Sequence, residues 1–428
     1  MASDLKFRNI IAFFFFGFTL AIPNGLYLVA TQDILSGSSI PSTVILIIMS
    51  VPHILLKFVA PWFVYKVSFL VWWAVVTALS LVSIVCVTAD LVAVRMIGAF
   101  LSGPAMCLTS VVTMAMIAKY QSLDVLMSAN RTGVGLGDIV SSFIYTGLTT
   151  WTCMSPQMAM VISLPLCFVP LLSHWLLDKT PLQEVDSYTG VQYTKTDHQE
   201  PHEEKPTPMI DTKHKTYRVV SMLWTICPLA GYLYLSKMSR YICTNALLTS
   251  IAFSNAPFLP RDHNQYYILL FDCARLLGST GPILTSPAGP EWQELFKIRR
   301  IWIVAILDVI PIFLYLLTSW FRFITNYRII FAVCFAHGII SGMLAVYAVI
   351  YTADQFITKE EKGVAMGLVE VSCPMGILVA GVVGAFVEPL LKKHCIEDLH
   401  LGVYCSTRFA SSAQWTQNLR CTQHSKGL

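Results

Sequence analysis

The sequence predicts an all-α, polytopic membrane protein of about 11 transmembrane helices, arranged as six and then five. Apolar runs of roughly 20 residues recur along the chain, which is the length that a bilayer core of about 30 Å requires. Hydrophobic residues make up 55% of the chain and charged residues only 13%, well below the charged share of a soluble domain. Many solute carriers have this layout with a polar break, so the question becomes which solute is carried.

Six apolar runs precede the polar break and five follow it. The first six runs are residues 9–30, 41–64, 68–89, 91–118, 130–150 and 157–177. The last five runs are residues 218–250, 265–285, 299–320, 326–352 and 363–390. The predicted parts are an N-terminal six-helix bundle (1–177), a cytosolic disordered linker (178–217), a C-terminal five-helix bundle (218–391) and a cysteine-containing tail (392–428).

Lysine and arginine are concentrated in one set of predicted loops, and this bias indicates the orientation. Lys66, Lys119, Arg131 and the lysines of the linker lie on one side, whereas the opposite loops carry little positive charge. The positive-inside rule therefore places the linker in the cytosol. Eleven crossings put the tail on the other side, yet Lys392 and Lys393 directly follow the last run, so the sequence leaves the side of the tail open.

Twelve cysteines are present, without a Cys-x-x-Cys pair. Most lie inside apolar runs, where cysteine behaves as a small apolar residue. Cys153, Cys395, Cys405 and Cys421 lie outside the runs, so disulfides are expected among them if the tail is lumenal. No spacing typical of a metal site occurs, and neither a metal nor a cofactor is expected.

Ionisable side chains inside the predicted spans are the strongest functional signal, because a charge within the membrane is costly. We expect such residues to line a cavity or to pair with one another. Lys237 and Arg240 lie three residues apart on one helix face, and Asp272 and Arg275 repeat this spacing on the next helix. The second pair also fits a purely structural pairing within its own helix.

Candidate site residues fall into two groups. The predicted substrate-binding residues are Asn24, Tyr27, Lys57, Lys237, Arg240, Asn245, Asp272 and Arg275. His53, His337 and Glu370 are candidates for proton coupling, and the two histidines have the unperturbed pKa closest to the pH of an acidic organelle. A lone histidine in a span is nevertheless more often a hydrogen-bonded structural residue.

The second apolar run contains a specific pattern, Pro52-His53-Ile54-Leu55-Leu56-Lys57-Phe58-Val59-Ala60-Pro61. It resembles the second-helix signature of the battenin family, in which Pro, four residues, Lys and two residues precede Ala-Pro. Weaker matches follow in order from about residue 10 to 391. The resemblance implies a major-facilitator-like protein of the lysosomal or vacuolar membrane, associated with glycerophosphodiester clearance, basic amino acids and organelle pH.

The chain departs from this family at several charged positions. Met49 and His337 stand where the family usually has acids, whereas Asp272 and Glu370 are acidic where the family is uncharged. Proton coupling through the family's acids therefore cannot be carried over. A cavity in which Lys57 joins other basic side chains would suit an anionic solute such as a phosphodiester.

The linker contains Tyr188-Thr189-Gly190-Val191, a Tyr-x-x-apolar pattern of the kind read by endosomal sorting adaptors. Tyr188 and Val191 are therefore candidate sorting residues, although such tetrapeptides are common by chance. Alternating charges and prolines in the linker predict no packed core.

The function predicted from these features is a lysosomal or late endosomal transporter-like protein, not an enzyme. It would export a small polar solute, with a glycerophosphodiester favoured and a basic amino acid next, and would affect lysosomal pH. The alternative is a non-transporting membrane regulator of endolysosomal trafficking or acidification. Expected partners are the lipid bilayer, the solute and sorting adaptors. Nucleic acid is not expected, because a net charge of +4 is too small to suggest it.

Overall fold

The computed structural model describes residues 2–60, 63–117, 119–120, 123–179, 208–285, 300–356, 365–408 and 411–418, and all regular structure within them is helical. The helices of the first half are α1 (Ala2–Ile34), α2 (Val44–Val59), α3 (Phe69–Val87), α4 (Val92–Ile117), α5 (Leu123–Thr146), α6 (Pro156–Ile162) and α7 (Val169–Leu176). Those of the second half and the tail are α8 (Pro208–Ile242), α9 (Pro260–Thr285), α10 (Ile301–Phe321), α11 (Tyr327–Asp354), α12 (Ser372–Glu397) and the short α13 (Ala413–Thr416).

Seven helical segments in this part of the chain are long and apolar enough to cross a membrane. They are Phe7–Ile34, Phe69–Val87, Val92–Ile117, Pro156–Leu176, Ile301–Phe321, Tyr327–Thr352 and Ala365–Glu397. Helix α2 is apolar but shorter, and α5, α8 and α9 are long but less apolar. The all-α class is confirmed, whereas the count of eleven crossings stays a prediction.

Each half has an apolar core, and many further apolar side chains face outward. In the first half, the rings of the fully buried Phe16 and Trp73 stack with centroids 4.4 Å apart. In the second half, the buried Tyr315 hydroxyl donates to the Cys334 sulfur at 3.3 Å. Large side chains such as Phe386 are exposed, as expected for a surface that meets lipid rather than water.

Glycines allow two pairs of helices to approach closely. A Cβ atom added at Gly133 of α5 would lie 2.0 Å from the Phe14 carbonyl oxygen of α1. In the second half, a Cβ at Gly278 of α9 would lie 2.1 Å from the Ile339 carbonyl oxygen of α11. Small residues permit this backbone contact between membrane helices.

The tail and the first residues of the linker lie at opposite ends of the molecule. At the start of the linker, the Asp178 backbone N–H donates to the Asn9 side chain at 3.0 Å. In the tail, the Arg408 Nε donates to Gln32 at 3.1 Å. Since Asn9 and Gln32 are near opposite ends of α1, the two contacts are about 35 Å apart. The tail therefore lies on the side of the molecule away from the start of the linker.

Two predicted boundaries are wrong in the structure. Helix α8 begins at Pro208, so residues 208–217 of the predicted linker are helical. Arg131, which was expected in a loop, lies inside α5, because that helix begins at Leu123. Hydropathy locates the apolar part of a helix and misses the polar turns that extend it. The sorting residues Tyr188 and Val191 lie outside the described residues.

Candidate functional site

A cavity of about 370 Å³ lies between the two halves. Its lining comes from α5 in the first half, from α8, α9 and α11 in the second, and from residues beside the start of α12. The lining begins at Met127 near the start of α5 and reaches Thr280 and Ile350 near the ends of α9 and α11. Just before α5, the Tyr120 hydroxyl donates to the Asp178 carbonyl at 2.6 Å, so the cavity lies toward the linker end.

Three basic side chains line the cavity, and two of them are paired. Arg131 forms an ion pair with Glu370, and Arg275 forms one with Asp138. Lys237 forms neither an ion pair nor a hydrogen bond with any residue that the structure describes. Lys237 is therefore the cation that remains available to an anionic ligand in the cavity.

A network of buried charges joins α5 to α8 and α9. Asp138 of α5 accepts a hydrogen bond from Arg275 and lies 3.5 Å from the Arg240 guanidinium. Arg240 donates to Asp272 at 2.8 Å, and Ser142 of α5 donates to the same carboxylate at 2.8 Å. The alternative in which Asp272 pairs with Arg275 of its own helix is wrong, because each residue finds a partner on another helix. Side chains three residues apart share a face, but here that face meets oppositely charged neighbours.

Glu370 lies at a break in the last membrane segment, between helical residues 365–369 and the start of α12 at Ser372. Its carboxylate accepts a hydrogen bond from Arg131 of α5. Its backbone carbonyl accepts one from the Lys57 ammonium group of α2 at 3.2 Å. The second-span lysine therefore reaches across to the second half of the protein, although it does not line the cavity.

Among the described residues, the three cations that line the cavity have two carboxylate partners, which leaves an excess of one positive charge. The cations are Arg131, Lys237 and Arg275, and the carboxylates are Glu370 and Asp138. Such an excess favours a negatively charged solute, since opposite charges attract strongly where water is scarce.

Other predicted site residues lie outside the cavity lining. Asn24 donates to the Tyr241 hydroxyl at 3.4 Å and links α1 to α8. Tyr27 is buried with its hydroxyl 2.5 Å from that of Ser83, and Asn245 donates to its neighbour Thr244 at 2.9 Å. Their roles in substrate binding stay predictions.

The two candidate histidines have different surroundings. The His53 side chain is buried, and its Nε2 atom has no hydrogen-bond partner among the described residues. His337 is buried in the second half, with its Nε2 atom 3.6 Å from Asp308. Neither histidine lines the cavity.

Two central residues, Arg131 and Asp138, were absent from the predicted site. For Asp138 a signal existed, because it is an acid inside a predicted span, the criterion that selected Asp272. Arg131 gives no such signal, because it lies at the edge of the apolar run, where a basic residue indicates a loop.

A further ion pair between the halves closes the end of the molecule opposite to the cavity. Arg261 of α9 donates two hydrogen bonds to Asp33 of α1, at 3.0 and 2.6 Å. Tyr145 of α5 also donates to Asp33, at 2.9 Å. All three side chains are buried, so the structure shows the cavity near the linker end with the tail end closed.

Comparison with known protein families identifies the chain's relatives. The family model described as CLN3 protein matches residues 11–394. Protein BTN1 of Kluyveromyces lactis is 22% identical over 402 residues, covering 92% of this chain and 97% of that protein. Protein BTN1 of Saccharomyces cerevisiae is 22% identical over 420 residues, covering 92% and 98%.

Solved structures with a similar fold are membrane transporters. A D-xylose–proton symporter matches with a TM-score of 0.61 and 11% identity, over 99% of this chain and 96% of that one. An inward-facing bacterial homolog of the human lysosomal transporter Spinster matches with a TM-score of 0.60 and 10% identity, over 97% and 93%. The major-facilitator-like fold is therefore confirmed. With the family model matching nearly its whole length, this chain is a multi-pass membrane protein that belongs to the CLN3, or battenin, family.

Proposed function

We propose that this protein carries a small anionic solute of the phosphodiester class through the cavity between its halves. The observation that carries this proposal is Lys237, a cation on the cavity wall without a partner among the described residues. A phosphodiester would supply the missing negative charge, and charge-assisted hydrogen bonds to phosphate are among the stronger polar contacts.

The charge of the cavity discriminates between the two solute classes predicted earlier. A basic amino acid carries net positive charge and would be repelled by the excess of cations. A glycerophosphodiester is attracted by Lys237 and brings hydroxyl groups as well. Side-chain hydroxyls line the same cavity, at Ser128, Thr132, Ser279 and Thr280, and these can exchange hydrogen bonds with a glycerol moiety.

Transport requires the solute site to face each side of the membrane in turn. The structure has the cavity at the linker end and a closed tail end, where Arg261 binds Asp33. Opening the tail end would break this pair and expose the solute to the opposite side. With the linker in the cytosol, this cycle would export solute from the lumen of a lysosome or late endosome, with Tyr188 and Val191 as the sorting signal.

Counterflow in proteoliposomes tests the proposal directly. Purified protein is reconstituted with glycerophosphoinositol inside the vesicles, and entry of the labelled compound is followed from outside. Lys237→Gln should lower the rate about tenfold or more, because it removes a hydrogen bond to a charged group. Lys393→Gln is the matched control, since Lys393 is 68% exposed and lies on the tail side of α12.

Two results would contradict the proposal. One is a wild-type protein that shows no saturable counterflow, and the other is a Lys237→Gln protein that transports at the wild-type rate. An excess of arginine should leave the wild-type rate unchanged if the solute is anionic. In cells, loss of the protein should raise the glycerophosphodiester content of isolated lysosomes, as measured by mass spectrometry.

A further inference from the structure

Asp308 and His337 form a buried titratable pair that does not line the cavity. Asp308 lies in the middle of α10 and His337 in the middle of α11, with 0% and 1% of their surfaces exposed. The Asp308 Oδ1 atom is 3.6 Å from the His337 Nε2 atom. The pair therefore joins two helices deep inside the second half of the protein.

Too few hydrogen-bond donors surround this pair to hold an ionised carboxylate. Among the described residues, neither carboxylate oxygen of Asp308 has a hydrogen-bond partner, and neither has the His337 Nδ1 atom. The Ser239 hydroxyl donates to the Asp308 backbone carbonyl at 2.5 Å and lies 3.3 Å from His337 Nε2. A buried carboxylate without such partners is strongly disfavoured in its ionised form and tends to take up a proton instead. The pair is consequently stable when it holds a proton, on the carboxyl group or on the imidazole.

The helices around the pair provide no separate countercharge. Arg240 of α8 is the charged group facing His337, and it already pairs with Asp272 of α9. The other titratable neighbours are Cys243, which follows α8, Tyr315 of α10 and Cys334 of α11, while α12 contributes apolar side chains such as Ala380. The charge of the pair is therefore set by its own proton.

Two serines lie beside the pair, one on α8 and one on α11. The hydroxyls of Ser236 and Ser341 lie 3.2 Å apart, and Ser236 also faces the Asp308 carboxyl group. In sequence they adjoin Lys237 and Gly342, both of which line the cavity.

We propose that Asp308 and His337 form a proton-binding site that couples transport of the solute to the proton gradient. One proton passes from water to the pair, forming an O–H or N–H bond, and returns to water later in the cycle. This inference rests on the proposed function, because it needs a transported solute. It identifies the proton as the coupling ion. It assigns proton binding to a pair that does not have to contact the solute.

The test compares two modes of transport by the same reconstituted protein. Counterflow of labelled glycerophosphoinositol at equal pH on both sides needs no net proton movement. Net uptake driven by an imposed pH difference does need net proton movement. Asp308→Asn should retain counterflow and lose the response of net uptake to the pH difference. Asp398→Asn is the matched control, because Asp398 forms an exposed pair with His394 at 2.6 Å, and both modes should be unchanged.

The outcomes separate this inference from the proposed function. If wild-type protein shows no counterflow, the proposed function fails and the coupling inference fails with it. If it shows counterflow but no response to pH, the coupling inference alone is overturned. It is also overturned if Asp308→Asn keeps the pH-driven uptake, or loses both modes to the same extent at normal thermal stability. Should Asp308→Asn fail to fold, His337→Gln decides by the same comparison.

Discussion

At the scale of single residues, the function of each buried charge depends on its partners. Arg240 and Arg275 are balanced by carboxylates of other helices, whereas Lys237 on the same cavity side has none among the described residues. A paired cation mainly holds helices together, and an unpaired one is available to a ligand. The same residue type thus has two roles, and the sequence alone does not distinguish them.

Replacing Asp138 tests the structural role of the paired residues. Asp138→Asn leaves Arg275 without its carboxylate and weakens the contact with Arg240. Breaking a buried ion pair by removing one partner costs about 3–5 kcal/mol, so the melting temperature in detergent should fall clearly.

A double-mutant cycle provides the control for this prediction. Adding Arg275→Gln to Asp138→Asn removes the charge that was left alone and should recover part of the lost stability. If the two substitutions lower the melting temperature additively, Asp138 and Arg275 do not stabilise the protein as a pair.

At the scale of helices, the most apolar helices are not the ones that supply the charged residues around the cavity. The most apolar helices, such as α3 and α10, face outward over much of their length. The less apolar α5, α8 and α9 provide the charges around the cavity. Close packing of α5 on α1 holds this polar group of helices in place, and it depends on glycine at the contact.

Substitution of Gly133 tests that packing. A Cβ atom there would lie 2.0 Å from the Phe14 carbonyl oxygen, so Gly133→Ala forces the backbones of α1 and α5 apart. Overpacking of this kind costs about 1–3 kcal/mol. Thermal unfolding should show the loss, whereas Gly231→Ala in α8 should be neutral or slightly stabilising, since no atom lies within 4 Å of its Cβ position. Equal melting temperatures for the two variants would contradict the close contact.

At the scale of the whole molecule, the tail spans both halves at the closed end. Arg408 donates to Gln32 and to the Ile40 carbonyl, at 3.1 and 2.6 Å, and lies 3.6 Å from Glu388 of α12. A disulfide between Cys395 and Cys405 anchors this segment to the end of α12. Because the tail contacts both halves, it should stabilise the conformation in which that end is closed.

Weakening the contacts of the tail should therefore shift the protein away from the conformation in which the cavity lies at the linker end. In Arg408→Gln, labelling of Cys373 by a membrane-impermeant maleimide from the linker side should slow several-fold, because opening the tail end narrows the cavity that Cys373 lines. The other free cysteines are replaced by alanine, and the Cys395–Cys405 disulfide is kept.

Arg328→Gln is the control for this experiment, because Arg328 is an exposed arginine at the same end, near the start of α11. Equal labelling rates in the two variants would show that the tail does not control which end is closed.

Local sequence was sufficient to predict the helical class and the family, and it singled out most of the charged residues that the structure places around the cavity. These features depend on composition and spacing within one segment, which hydropathy captures directly. The three-dimensional arrangement was needed to show the ion-pair partner of each charged residue. Arg275 and Asp138 are 137 residues apart, and Arg131 and Glu370 are 239 apart. No local sequence pattern predicts an ion pair between residues so far apart in the chain, since the pair depends on how whole helices pack. The same packing left Lys237 without a partner among the described residues and placed the tail at the end opposite the start of the linker.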